Sequence, residues 1–251
     1  MRYYALLLLA VAAVAQPAIA PPAIGTVRDG SGGLHTVLGV AGNFIVNDAG
    51  ISNAVSAAFS ASAGLVKTGA EVLVLDSTGQ ITNRYTAPAG PALFAFDRTG
   101  APALAYYSGT LFQFVNNQPT QVNWTGDAVS IASAGPGSAS AIVHRDDGLW
   151  HIRFALSDGS VENESHLIDV SGPVLLLPKG ALLFARQNDL VVRDSNGAER
   201  LLPEAFDVDS FEQMGKDWIA VREAGGGRLF ALHITPLTLE LYQIPDPEVT
   251  Q

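Results

Sequence analysis

Apolar residues in this chain come in short runs broken by polar turns, and no stretch beyond the N-terminus keeps the 3.6-residue spacing of an amphipathic helix. Five runs share one layout of strand, turn and second strand: Glu71–Asp76, Thr110–Val115, Leu149–Phe154, Leu190–Ser195 and Leu229–Ile234. Their starts lie 39, 39, 41 and 39 residues apart. A period near 40 with strand patterning marks a propeller blade, in which four short antiparallel strands pack between neighbouring blades.

Each period has room for four strands. Over 90–126 the pattern predicts Ala92–Asp97, Pro102–Tyr107, Leu111–Val115 and Thr120–Trp124, separated by Arg98-Thr99-Gly100, Ser108-Gly109 and Asn116-Asn117. Ser77-Thr78-Gly79, Ser157-Asp158-Gly159 and Asn196-Gly197 are expected at the equivalent hairpin of the other periods, each following its aligned strand as Asn116-Asn117 does. Runs such as Val174–Leu177 and Leu182–Ala185 are apolar at every position, as suits a sheet covered on both faces. The N-terminal unit is shorter. Ala23–Asp29, a Gly30-Ser31-Gly32-Gly33 turn and Leu34–Gly42 read as the outer hairpin of a blade. The expected fold is therefore all-β: a propeller of four-stranded blades with six radial positions, the first abbreviated. Five blades with an N-terminal appendage, or a pair of β-sandwiches, are the alternatives.

Residues 1–15 look unlike the rest. Met1-Arg2 precedes an unbroken apolar run from Ala5 to Ala15, too short to span a bilayer and suited to a signal peptide cut before Gln16, or alternatively before Pro21. The expected organisation is a leader over 1–15 (alternatively 1–20), one propeller domain over 23–245 and a tail over 246–251, the product being periplasmic or extracellular. No later segment is long and apolar enough for a membrane span. The chain has no cysteine, which removes disulfides, thiolate metal sites and a lipid-anchoring cysteine. Burial must hold the fold, and 48% hydrophobic against 15% charged residues supplies the material. Net charge is −10, and near −11 once Arg2 is removed, which argues against nucleic acid and anionic membrane as partners.

Pro91–Gly100, followed by Ala103–Tyr107 and Leu111–Phe114, resembles blades of the broad WD40/YVTN-like propeller superfamily, without the Gly-His and Trp-Asp signatures of true WD40 blades. Val37–Gly42 is similar to a segment of uncharacterised exported bacterial propellers. The resemblance spans roughly 23–245, implies the fold and carries over no functional residue.

Chemistry is sparse. The five histidines, His35, His144, His151, His166 and His233, show no zinc spacing. His151 and His233 fall inside apolar strands, and His144 alone stands in a polar setting, ahead of Arg145-Asp146-Asp147. No nucleophile elbow, phosphate loop or dinucleotide fingerprint is present. The tetrads 76–79 and 194–197 read as hairpin turns rather than calcium loops. Asn123-Trp-Thr and Asn163-Glu-Ser match the glycan acceptor pattern. No cofactor and no metal site is expected.

One pattern stands above this background. Lys67, Arg145 and Arg186 each lie four residues before the aligned strand, Arg222 closes the matching strand before Glu223–Gly227, and Tyr106 or Tyr107 holds the place in the remaining repeat. Loops between second and third strands share one propeller face. Lys67, Tyr107, Arg145, Arg186 and Arg222, with Trp124 nearby, are thus candidates for a ring receiving an anionic small molecule or glycan. Pairing with Asp146, Asp147, Asp189 or Glu223 at the rim is the competing expectation. The function expected is an exported binding or protein-interaction module, with another exported protein as an alternative partner. A channel-mouth hydrolase or lyase and a structural part of a cell-surface assembly are the alternatives.

Overall fold

The computed structural model describes residues 21–246 apart from 188, 205 and 226. The proposed leader, and the tail beyond 246, lie outside the described residues. Six antiparallel sheets follow one another along the chain, each with its strands in sequence order. The first sheet has three strands, β1 (Ala23–Arg28), β2 (Leu34–Val40) and β3 (Asn43–Asp48). Blade 1 comprises β4 (Ser56–Phe59), β5 (Ala63–Lys67), β6 (Glu71–Asp76) and β7 (Ile81–Thr86). Blade 2 comprises β8 (Ala92–Phe96), β9 (Pro102–Tyr107), β10 (Thr110–Val115) and β11 (Gln118–Val122). Blade 3 comprises β12 (Ala128–Gly135), β13 (Ser138–Arg145), β14 (Gly148–Ala155) and β15 (Val161–His166). Blade 4 comprises β16 (Val174–Leu176), β17 (Leu182–Arg186), β18 (Asp189–Arg193) and β19 (Glu199–Pro203). Blade 5 comprises β20 (Val208–Gln213), β21 (Trp218–Glu223), β22 (Leu229–Ile234) and β23 (Leu239–Gln243). Among the described residues the sole helical segment is a 3-10 turn, Pro178–Gly180.

Strand alternation explains the continuous apolar runs. In blade 1, Leu65, Val72 and Val74 pack against Ala92, Ala105 and Tyr107 of blade 2. The intervening Val66, Leu73 and Leu75 pack on the other side with Leu34 of the first sheet. Every blade repeats this division, so six apolar clusters fill the six inter-sheet interfaces and the ring closes. Side chains stitch the blades as well: the Ser56 hydroxyl accepts the Ala92 N–H at 3.0 Å, and the buried Ser130 accepts that of Leu176 at 2.8 Å.

The abbreviated first unit is larger than a hairpin, because Gly42 in a left-handed conformation turns the chain into a third strand. What it lacks is the innermost strand. Strands β4, β8, β12, β16 and β20 surround the channel, and β20 lies directly against β4. Strand β1 is set back beside β21. Among the described residues no strand is exchanged between the chain ends; packing, hydrogen bonds and an ion pair close the seam. The Thr26 N–H bonds the Met214 carbonyl at 2.9 Å, Arg222 bonds the Arg28 carbonyl at 2.6 Å, and Arg28 pairs with Glu212 at 2.6 Å. These groups cover the edge that an inner strand would otherwise have paired.

One local reading needs correction. Strand β11 starts at Gln118 rather than Thr120, because Asn116 and Asn117 both take positive φ and form a two-residue turn. As expected, the turns at 77–79, 157–159 and 196–197 join third to fourth strands like Asn116-Asn117, and 98–100 joins first to second. One aspartate-led turn geometry serves either hairpin: Asp76 and Asp97 each accept N–H groups two and four residues on.

Candidate functional site

The inner strands begin at the face that carries the second-to-third strand loops and the links between blades. There four of them, together with the loops of blades 3 and 4, frame an open groove of about 640 Å³ at the channel mouth. Its walls are Leu93, Val129, Val174 and Phe211 from β8, β12, β16 and β20, with Leu149 and Val170 behind them. Val129 is 39% exposed, unusual for a valine on an innermost strand. His144, Asp209 and Ser210 add polar groups, and both His144 and Asp209 are exposed. The loop from Val170 to Pro173 forms the rim, and Ile168 beside it is 84% exposed. Among the described residues no group of three or more metal-ligating side chains converges.

The five residues picked out from sequence lie at the ends of second strands, and none lines this groove. Lys67 is fully buried, its ammonium donates to the Thr68 carbonyl, and burial pushes its pKa down. Tyr107 is buried, stacks on Phe112 at 4.7 Å and has its hydroxyl pKa raised by burial. Its ring borders a second groove of about 470 Å³ between blades 1 and 2. Arg145 pairs with Glu164 at 2.9 Å and lies over the Trp150 ring, 4.5 Å from its centre. Trp150 in turn stacks on His166 and donates to Asp147 at 2.8 Å. Arg186 pairs with Glu199 at 2.7 Å and with Asp169 at 3.6 Å; the Glu199 hydrogen bond raises its pKa. Arg222 donates to the Arg28 carbonyl across the seam. Trp124 is buried and stacked on Phe154. No hydrogen bond or ion pair joins any two of the five candidates. Of the expected rim carboxylates only Glu223 takes an arginine, and that is Arg228.

The groove itself was missed, although two signals for it exist in the sequence: a valine at 129 on an inner strand, and His144 in its polar setting.

No protein-family model matches the chain, and no curated protein matches it in sequence. Solved structures do match. TolB from Acinetobacter baumannii superposes with a TM-score of 0.55 at 14% identity, covering 89% of this chain and 63% of that one. The chain has the β-propeller fold. Also similar are a streptogramin B lyase, with TM-score 0.48, 12% identity and 92% and 86% of the two chains covered, and the Neurospora crassa Pan2 WD40 domain, with 0.48, 9%, 90% and 80%. Likeness at these identities concerns the fold and leaves function to the site.

Proposed function

We propose that this propeller is an exported binding module whose working surface is the channel mouth framed by Leu93, Val129, Val174 and Phe211. One observation carries the reading: an open, largely apolar groove at the axis of the ring, with Val129 exposed on an inner strand. The leader-like segment 1–15 supports export. A hydrolase or lyase reading would rest on His144 and Asp209, but neither side chain is held by a hydrogen bond from another described residue. A general base needs to be held in place relative to its substrate, so binding is the better-supported reading. A role for Lys67, Arg145, Arg186 and Arg222 in anion capture would require an incoming anion to displace Glu164 from Arg145 and Glu199 from Arg186.

The test places a photo-crosslinking amino acid at Val129 and, separately, at Lys179 on the opposite face, in the full chain expressed in its producing cell. A discrete adduct from position 129 and none from 179 is expected. No adduct at 129, or equal adducts from both, overturns the proposal.

A further inference from the structure

The two faces of the ring differ in unpaired charge. On the groove face the cations are occupied: Arg28, Arg145, Arg186 and Arg228 by carboxylates, Arg222 by a carbonyl, and Lys67 by burial and the Thr68 carbonyl. Asp127, Asp146, Asp207 and Asp209 on that face are exposed, and no described residue gives their carboxylates an ion pair or hydrogen bond. Asp209 lines the groove itself. The opposite face is mixed, with Asp217 exposed and unpaired and the turn aspartates Asp76, Asp97, Asp158 and Asp194 in its hairpins. Arg98, Lys179 and Lys216 stand exposed and unpaired in the first-to-second strand hairpins of blades 2, 4 and 5, around the other end of the channel.

We infer that the groove receives an extended segment of a partner protein that presents an apolar side chain flanked by Lys or Arg. This rests on the proposal that the channel mouth is the working surface. The apolar walls provide for the anchoring side chain, and the four unpaired carboxylates provide for the flanking cations. The groove is open, with Val129 and the Ser171-Gly172 rim exposed, so it suits side chains projecting from a larger molecule better than a small amine needing enclosure. The unpaired carboxylates at this mouth, with no unoccupied cation beside them, draw a cationic segment toward it.

The experiment selects phage-displayed random heptapeptides on the immobilised full chain, with counter-selection on Val129→Arg, which fills the groove with a cation at an already exposed position. Recovered sequences are expected to pair Leu, Val or Phe with neighbouring Lys or Arg. A labelled copy of one, measured by fluorescence anisotropy, should bind at least about tenfold more weakly to Asp207→Asn/Asp209→Asn, and should weaken as salt rises to about 0.5 M. Lys179→Gln/Lys216→Gln should change binding less than about twofold, since those charges lie on the far face. Circular dichroism melts of all variants verify folding. Peptides that lack cations or carry acids, yet are blocked by Val129→Arg, overturn the cationic preference and leave the channel-mouth reading standing. If no peptide is sensitive to Val129→Arg, both fall. Self-association abolished by Lys179→Gln/Lys216→Gln would mean that a second copy occupies the groove, which also overturns the partner-segment inference.

Discussion

Closure without a shared strand makes the seam between β1 and β20–β21 a place where a single methyl group should do harm. Gly25 and Gly215 let the two backbones meet. A Cβ built on Gly25 would stand 1.9 Å from the Met214 carbonyl oxygen, a backbone atom that cannot swing aside. Gly25→Ala therefore has to push β1 away from the 214–215 turn. Overpacking of this kind costs about 1–3 kcal/mol. The same shift breaks the 2.9 Å hydrogen bond from Thr26 to Met214, worth about 1 kcal/mol, and loosens the Met214, Val27, Val37 and Phe44 cluster. The expected loss is about 2–4 kcal/mol, read as a fall in Tm of about 5–15 °C for a chain of this size. The assay is urea denaturation with thermal melts, using Gly69→Ala as control, because a Cβ there meets nothing within 4 Å and its backbone is not left-handed. Hydrogen exchange should show lost protection at β1 and β21 before the other blades. A Gly25→Ala variant within about 0.5 kcal/mol of wild type, the ordinary range for a surface substitution, would refute the closure argument.

Three further outcomes are expected. Burial works against the Asp29 carboxylate, but hydrogen bonds from His35, Ser31 and Gly33 outweigh it and lower its pKa from 3.8 to about 2. Because the folded value is the lower one, this contribution, about 2 kcal/mol, is complete above pH 3.8 and is lost as pH falls toward 2; Asp29→Asn should remove it at pH 7 and flatten the acid limb of a stability–pH curve. The His151 Nε2 is buried with no hydrogen-bond partner, and burial lowers the ring's pKa, so His151→Leu should leave stability unchanged or raise it by about 1 kcal/mol, and a loss above about 1 kcal/mol in chemical denaturation would refute this. N-terminal sequencing of protein recovered outside the cytoplasm should begin at Gln16 or, by the alternative cut, Pro21; intact Met1 there would overturn the leader assignment.

The ring was legible because its causes are local and repeated. A two-faced apolar strand such as Glu71–Asp76 needs partners on both sides, and five copies at one spacing leave few arrangements other than a closed ring. The third strand of the first sheet was hidden by composition: Asn43–Asp48 alternates exposed and covered positions weakly, and its pairing with β2 depends on the left-handed Gly42.

The cation pattern shows where sequence alignment of repeats stops being informative. Lys67, Arg145, Arg186 and Arg222 do end equivalent strands, but second strands point their side chains at neighbouring blades, and the channel is lined by first strands. Even on the sheet faces the four diverge. Lys67 shares the face of Leu65 and Arg222 that of Ala220, turned to the following sheet, whereas Arg145 follows Val143 and Arg186 follows Phe184 toward the preceding one. A strand shifted by one residue relative to its neighbours presents the opposite face, so equal spacing in sequence does not bring side chains to one place. Carboxylates on outer strands then complete the separation by drawing Arg145 and Arg186 outward to Glu164 and Glu199. What this leaves at the mouth is an acidic, apolar surface rather than a basic one. Its charge arises from which cations are already occupied, a property of pairs that no single-residue reading contains.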